Sequence, residues 1–213
     1  MKRVVNFRKM FKNKFNLRKA VAIATCLAVT AIYSGCKKDG GNGGDDDDGG
    51  GNGVSTTAPF KIKQATIVYD LLEGLTQETV TFDDNGKQFR LEDGYHIYLL
   101  DENAKKAYSL EKSTKTYKEE TVAFGQGKRR TYVMSITETG YAAAGYKKST
   151  ETVAGKSCTV YSGTAGSTTA SYAGWNEIVF LVTLNGGDVI RALSFSETAA
   201  ANSFSIPSEY TLK

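Results

Sequence analysis

The segment Tyr95-His96-Ile97-Tyr98-Leu99-Leu100 is aromatic or aliphatic at every position but one. A short apolar run of this kind is typical of a buried β-strand. A second run, Ile178-Val179-Phe180-Leu181-Val182, has the same character. A sheet with one solvated face should instead alternate apolar and polar residues. We therefore expect both strands to be covered on both faces, by other secondary structure, by a second chain or by an apolar ligand.

Other short segments share this strand-like composition and are separated by turn signals. Asn85-Gly86 and Asn185-Gly186 supply the residue pair that tolerates the positive φ angles of a tight hairpin. Many short strands at regular spacing predict a sandwich, a barrel or a curved antiparallel sheet. The best helix candidate lies within 132–146, although a loop fits there equally well. The further predicted strands are 60–72, 75–82, 87–92, 106–110, 115–123, 131–137, 149–153, 156–162, 167–172 and 189–196.

Charge and composition divide the chain into three parts. Residues 1–35 carry eight lysines and arginines and no acid, whereas 59–213 carry 17 basic and 18 acidic residues. The basic balance of the whole chain therefore comes from the first part. Since nucleic-acid binding needs a basic patch on the folded part, we expect no nucleic-acid partner. The one cationic cluster there, Lys128-Arg129-Arg130, is interpreted as a solvated turn or strand edge.

The first part has the features of an export signal. After Lys19 come thirteen mostly apolar residues and then Tyr33-Ser34-Gly35-Cys36. A cationic start, a short apolar stretch and small residues before a cleavage point are typical of a secretory signal. The stretch is shorter than the roughly 20 apolar residues of a membrane span. We therefore predict that 1–35 is a signal peptide.

Ser34-Gly35-Cys36 resembles the lipobox of bacterial lipoproteins, with Tyr33 where that family usually has an aliphatic residue. The resemblance implies that Cys36 is lipidated with acyl chains such as palmitate. Cys26 is a poorer candidate because apolar sequence continues beyond it. Two or three long chains anchor a protein firmly. We expect a protein of the cell envelope that is held to the outer membrane, on its periplasmic or its outer side.

Residues 36–58 are predicted to form a flexible tether. Gly and Asp dominate this stretch, which cannot bury apolar surface. Asp45-Asp46-Asp47-Asp48 lacks the alternation and the closing Glu of a calcium loop. The acidic run resembles the export signals of Bacteroidetes-type surface lipoproteins, which implies outward display. The third part, 59–213, is then a single β domain.

The sequence offers few residues for catalysis or metal binding. It has one histidine, His96, which is interpreted as a core or rim residue. Cys158 lacks a partner once Cys36 is acylated and is interpreted as a small buried side chain. No spacing of zinc ligands or nucleophile elbow is present. We expect no enzyme, metal or cofactor, although distant carboxylates could still form a glycosidase pair.

The chain contains strand-like motifs such as Lys106-Ala107-Tyr108-Ser109-Leu110 and Gly155-Lys156-Ser157-Cys158. Together with further motifs, they resemble a group of small bacterial envelope proteins similar to the LolA-like lipoprotein carriers. The resemblance covers most of 64–212 but not 125–145. It implies a mainly β fold, a single curved antiparallel sheet or half barrel, whose concave apolar face is closed by helices and holds acyl chains. For this chain the sequence predicts little helix. The motifs are Phe82-Asp83-Asp84-Asn85-Gly86-Lys87-Gln88-Phe89-Arg90-Leu91-Glu92, Lys106-Ala107-Tyr108-Ser109-Leu110, Lys115-Thr116-Tyr117, Gly155-Lys156-Ser157-Cys158 and Phe204-Ser205-Ile206-Pro207.

Two roles remain open on these grounds. The first is a noncatalytic, lipid-anchored protein that binds an apolar ligand or an acyl chain in the concave face of its sheet. The expected lining residues are Tyr95, Ile97, Tyr98, Trp175 and Phe180. The alternative is a surface-exposed interaction or glycan-binding module, in which some of the twelve tyrosines form binding platforms.

Overall fold

The computed structural model describes residues 58–213, except residues 135 and 201 and the side chain of residue 165. The predicted signal peptide, Cys36 and the predicted tether up to residue 57 lie outside the described residues. Twelve strands and two helices make up the described part. The fold is mainly β with little helix, as the sequence predicts.

The strands form one curved, open sheet in which two consecutive meanders lie side by side. β1 to β6 form the first meander and β7 to β11 the second, and β1 pairs with β11 to join them. All these neighbours are antiparallel, and only β12 pairs parallel, with β6. The strands are β1 (Ala65–Leu71), β2 (Thr76–Asp83), β3 (Gln88–Glu92), β4 (His96–Asp101), β5 (Lys106–Glu111), β6 (Thr116–Glu120), β7 (Lys147–Val153), β8 (Lys156–Ala165), β9 (Thr168–Trp175), β10 (Ile178–Leu184), β11 (Gly187–Ser196) and β12 (Thr211–Leu212).

Two helices, α1 (Val122–Arg130) and α2 (Glu138–Ala143), lie between the meanders along the chain. The second lies within the stretch 132–146 that the sequence marks as the best helix candidate. The predicted strand 131–137 is wrong, because the only backbone pairing described for it is an isolated bridge from Val133 to Ile178. The predicted strand 60–72 is also too long, since β1 begins at Ala65.

Helix α1 corrects two interpretations of the sequence. The predicted strand 115–123 ends early, at Glu120, because the Thr121 side chain caps a helix by accepting a hydrogen bond from the Phe124 backbone N–H. Lys128-Arg129-Arg130 is the last turn of this helix, where cations are favoured by the helix dipole. The interpretation of this cluster as a turn or strand edge is therefore wrong.

The Asn-Gly pair at 185–186 forms the predicted tight turn. Asn185 has φ 51° and Gly186 has φ 83°, and they connect β10 to β11. The pair at 85–86 also has positive φ angles, but there Asp84–Gly86 forms a short 3-10 turn between β2 and β3. Both pairs therefore mark a chain reversal, because asparagine and glycine tolerate this backbone region.

Strand β4 is covered on both faces by the chain's own segments. Ile97 and Leu99 point to one face and pack there with Tyr210 and Ile206 of the C-terminal segment. Tyr98 and Leu100 point to the other face, where α1 packs on β4. Helix α1 and the C-terminal segment thus cover the two faces of β4 and account for its apolar character.

Candidate ligand-binding cleft

The register of β4, β5 and β6 places polar side chains in rows on the face that α1 covers. His96, Glu111 and Thr116 are directly opposite one another across the three strands. The next row on this face holds Tyr98, Ser109 and Lys118. Because cross-strand partners point to the same side of a sheet, these side chains and Glu120 form the floor of a cleft beside α1.

Aromatic rings form one wall of the cleft. The rings of His96 and Tyr98 stack with centroids 5.7 Å apart, and Phe124 of α1 lies 6.0 Å from Tyr98. The Lys128 Nζ atom lies 4.0 Å above the centre of the Tyr98 ring, which is a cation–π contact. The lysine of α1 thus lies over an otherwise buried ring at the side of the cleft.

Hydrogen bonds organise the polar floor. Ser109 Oγ donates to Glu120 Oε1 at 2.7 Å, and Lys118 Nζ lies 2.9 Å from the same oxygen. The Lys118 hydrogen bond, with help from Ser109 and against the effect of burial, lowers the pKa of the Glu120 carboxyl. Hydrogen bonds from Ser113 and Thr114 lower the pKa of Glu111. Both carboxyls are therefore ionised and act as hydrogen-bond acceptors at neutral pH.

The cleft has a volume of about 320 Å³, within the range of small-ligand sites. Its lining combines acceptors and cationic donors with a few aromatic rings, so it suits a ligand that both donates and accepts hydrogen bonds. The residues that complete the lining are Leu110, Tyr117 and Lys213.

Helix α1 is held over the sheet by a buried arginine. The two Arg129 Nη atoms donate to the Glu102 carboxylate at 2.9 and 3.0 Å, and Nη1 also donates to the Gly86 carbonyl at 2.6 Å. Gln126 donates to the same carboxylate. Glu102 lies in the turn after β4 and Gly86 in the turn after β2, so these bonds tie the helix to two turns. The position of Phe124 and Lys128 in the cleft depends on this attachment.

The five residues predicted to line an apolar site are not brought together at one place, although the Trp175 and Phe180 rings lie 6.3 Å apart. Ile97 and Tyr98 lie on opposite faces of β4, and only Tyr98 lines the cleft. Tyr95 is 63% exposed in the turn before β4. Trp175 and Phe180 lie in the second meander, where Phe195 and the Lys156 ammonium pack against the Trp175 ring.

Sequence reasoning missed most of the cleft. Ser109, Lys118 and Glu120 look like ordinary solvent-facing strand residues in the sequence. Phe124 and Lys128 belong to a helix that is not predicted there, since Phe124 follows the predicted strand 115–123 and Lys128 is interpreted as part of a turn or strand edge. Their common face follows from the pairing of three strands with one helix. The alternation Ser109-Leu110-Glu111, with a polar residue on each side of a buried leucine, is the local signal that a polar face lies there.

A second cleft of about 370 Å³ lies on the second meander. Its lining includes Met134 and Ile136, from the segment between the helices, together with Tyr161 of β8 and Gly174 of β9. The Lys61–Glu177 ion pair, 2.6 Å long, lies at its rim. This cleft has fewer polar groups on the sheet itself than the cleft beside α1.

The helix-covered face is filled by tyrosines between the two clefts. The rings of Tyr69 and Tyr132 lie 4.8 Å apart, and both are almost fully buried. The Tyr69 hydroxyl donates to the Val179 carbonyl at 2.8 Å, and the Tyr132 hydroxyl hydrogen-bonds the Glu78 carboxylate. Burial raises the pKa of both phenols, so both stay protonated donors. Side chains of the protein therefore occupy the centre of this face.

The described residues contain no group of three or more side chains suited to hold a metal ion. Among the helices in the described part of the chain, none is long and apolar enough to cross a bilayer. Cys158 is a buried free thiol. Burial raises its pKa to about 11.

No protein-family model matches this chain, and no curated protein matches it in sequence. Among solved structures, an uncharacterized conserved protein from Thermus thermophilus is similar at a TM-score of 0.44 and 8% identity, over 71% of this chain and 90% of that one. Two crystal forms of PNGF-II are similar at a TM-score of 0.40. Their identities are 10% and 11%, over 70% and 71% of this chain but only 30% and 31% of theirs.

Proposed function

We propose that this protein is a noncatalytic, lipid-anchored binding module of the cell envelope, whose cleft beside α1 binds a saccharide or a similarly polyhydroxylated ligand. The observation that carries the proposal is the cleft floor, where ionised carboxylates alternate with hydroxyl and ammonium donors next to stacked rings.

A polyhydroxylated ligand suits this floor because each hydroxyl group both donates and accepts hydrogen bonds. Glu111 and Glu120 offer acceptors, and Lys118 and Lys128 offer donors, within one cleft. The ring edges of Tyr98 and Phe124 add an apolar wall for the carbon skeleton. A purely anionic ligand would meet the repulsion of both carboxylates.

An apolar ligand or acyl chain, the other role expected from the sequence, has less support. The two doubly apolar strands suggested it, and for β4 the chain's own segments supply the cover. A chain lying along the helix-covered face would have to displace Tyr69 and Tyr132, whose hydroxyl groups are both hydrogen-bonded.

The lipid anchor is part of the same proposal and rests on the Ser34-Gly35-Cys36 motif. Metabolic labelling with a palmitate analogue tests it. We expect label on the wild-type chain and on Cys26→Ala, and none on Cys36→Ala. Equal labelling of the Cys36→Ala chain would contradict the anchor without touching the cleft.

Titration calorimetry with a panel of neutral mono- and oligosaccharides tests the cleft. Ser109→Ala removes one donor to Glu120 and should weaken binding of the responding sugar by about two- to tenfold. Lys118→Met should weaken it at least as much. The matched control is Ser162→Ala, the same change in β8, which should leave affinity unchanged.

Absence of any heat of binding at millimolar sugar would overturn the proposed ligand class. Equal affinity of the Ser109→Ala and Ser162→Ala chains would overturn the proposed site. Release of shorter sugars during the titration would overturn the noncatalytic part of the proposal.

A further inference from the structure

Strand β7 forms a long edge of the sheet. β7 is the last strand in the order of the sheet and pairs only with β8. Six of its seven residues are exposed, and only Val153 is buried. The other edge is different, because the short strand β12 pairs along β6 there. An edge strand presents unpaired backbone N–H and C=O groups that can accept another strand.

The order of charges along β7 makes this edge self-complementary. The strand reads Lys147-Lys148-Ser149-Thr150-Glu151-Thr152-Val153. If a second copy pairs antiparallel about a two-fold axis through Ser149, Lys147 of each copy lies directly opposite Glu151 of the other. Residues four apart in a strand point to the same face, so both ion pairs form on one side of the joined sheet.

We propose that β7 is the interface through which two copies of this chain pair, antiparallel and centred on Ser149, into one continuous sheet. In an interface about a two-fold axis, every contact off the axis occurs twice, because each copy supplies the same residues. Opposite charges directly across a strand pair stabilise it, and like charges destabilise it. Parallel pairing in register would place Lys147 against Lys147 and Lys148 against Lys148, so the charges select the antiparallel arrangement.

Lys147 and Glu151 remain available for ion pairs with a second copy. Lys148 points to the opposite face and is engaged by Glu138 at 2.7 Å. Glu151 is near Arg191, but the Arg191 guanidinium is held by Asp188. Lys147 and Glu151 are both exposed. The proposal does not involve the ligand cleft, which lies on the other meander.

Sedimentation velocity of the full-length chain at rising concentration measures the association. Lys147→Glu should weaken it at least about tenfold, because the change converts both symmetric ion pairs into like-charge contacts. Glu151→Lys should have the same effect, and the double variant Lys147→Glu/Glu151→Lys should restore association. The matched control is Lys148→Glu, whose partner across the two-fold would be Thr150.

Disulfide trapping tests the register independently of affinity. Ser149→Cys places two thiols opposite each other at a separation that a disulfide spans, so oxidation should give a covalent dimer. Thr152→Cys, three residues along the same strand, should give no more dimer than the wild-type chain under the same oxidant. Circular dichroism of each variant verifies that the chain is folded.

A chain that stays monomeric at high micromolar concentration overturns the proposal. A chain that accepts a strand from a different protein but does not pair with itself also overturns it. Failure of the double charge reversal to restore association also overturns it, as does trapping through Thr152→Cys rather than Ser149→Cys.

Discussion

Arg129 binds the carboxylate of Glu102 with both terminal nitrogens, although the two residues are 27 positions apart in the chain. The arginine side chain is 11% exposed and the glutamate side chain 20% exposed. A paired arginine and carboxylate in this environment form strong, directional hydrogen bonds. This contact determines where α1 lies on the first meander, and therefore where one side of the cleft lies.

Removal of the arginine should destabilise the fold. Arg129→Met keeps the aliphatic stem but removes the donor of the Gly86 carbonyl and leaves the Glu102 carboxylate with Gln126 as its remaining donor. We expect a loss of about 2–4 kcal/mol in the free energy of unfolding. Urea denaturation measures it. Glu138→Gln, which breaks the exposed pair with Lys148, is the control and should cost less than about 1 kcal/mol. Equal losses would mean that burial of the Arg129 pair contributes nothing.

The Arg129–Glu102 pair also predicts that the free energy of unfolding decreases at acidic pH. Burial disfavours the charged form of Glu102, but hydrogen bonds from Arg129 and Gln126 outweigh burial and lower the pKa of its carboxyl below the ordinary value of 4.5. A lowered pKa in the folded state gives stability that is present above the unfolded-state pKa and is lost as the pH falls through the folded-state pKa. The free energy of unfolding should therefore fall below about pH 5.

Glu102→Gln provides the comparison for this acid effect. Its unfolding free energy should depend less steeply on pH than that of the wild-type chain in the acidic range. The slope should not disappear, because the pKa of Glu92 is lowered too: burial opposes ionisation there, but hydrogen bonds from Lys112 and Arg90 outweigh it. Guanidine titrations at each pH measure the free energy of unfolding. If this energy changes with pH equally in the wild-type and Glu102→Gln chains between pH 5 and the acid-unfolding point, Glu102 does not cause the acid sensitivity.

Two glycines in α1 should respond oppositely to the same substitution. A Cβ atom at Gly125 would lie 3.0 Å from Leu100 Cδ1 and 3.2 Å from the Ala107 Cβ, whereas one at Gly127 would meet nothing within 4 Å. Gly127→Ala should stabilise the protein by about 0.5–1 kcal/mol through helix propensity. Gly125→Ala should be less favourable than Gly127→Ala by about 1–3 kcal/mol, because the helix must move away from β4 and β5. Thermal unfolding of the two variants side by side measures the difference.

Cys158 should be a slow thiol in the folded protein. Its pKa of about 11, against an ordinary value of 9.0, lowers the thiolate fraction near pH 8 about 100-fold, and burial limits access further. In a Cys26→Ala/Cys36→Ala chain, a disulfide reagent should react with Cys158 at least about 100 times more slowly in buffer than in denaturing urea. Comparable rates in the two solvents would show that the second meander opens readily.

The strands were the most predictable part of the fold. Strand β4 agrees with its predicted segment to within one residue, because a compact apolar run has no alternative to burial. Helix α1 escaped prediction, since Gly125 and Gly127 depress helix propensity and its stability comes from packing on β4 and from Arg129. The five predicted lining residues do not form one site for a related reason. Apolar character marks a residue for burial but does not say on which face of the sheet it is buried.

Local patterns in the sequence determined that the chain from about residue 60 forms many short strands with sharp reversals, because alternation and turn chemistry act between near neighbours. Only the tertiary structure decided three features: the cleft floor, the hydrogen bonds from Arg129 to two distant turns, and the exposure of β7. Each depends on which strands become neighbours, and that choice comes from the total burial of the sheet rather than from any single segment.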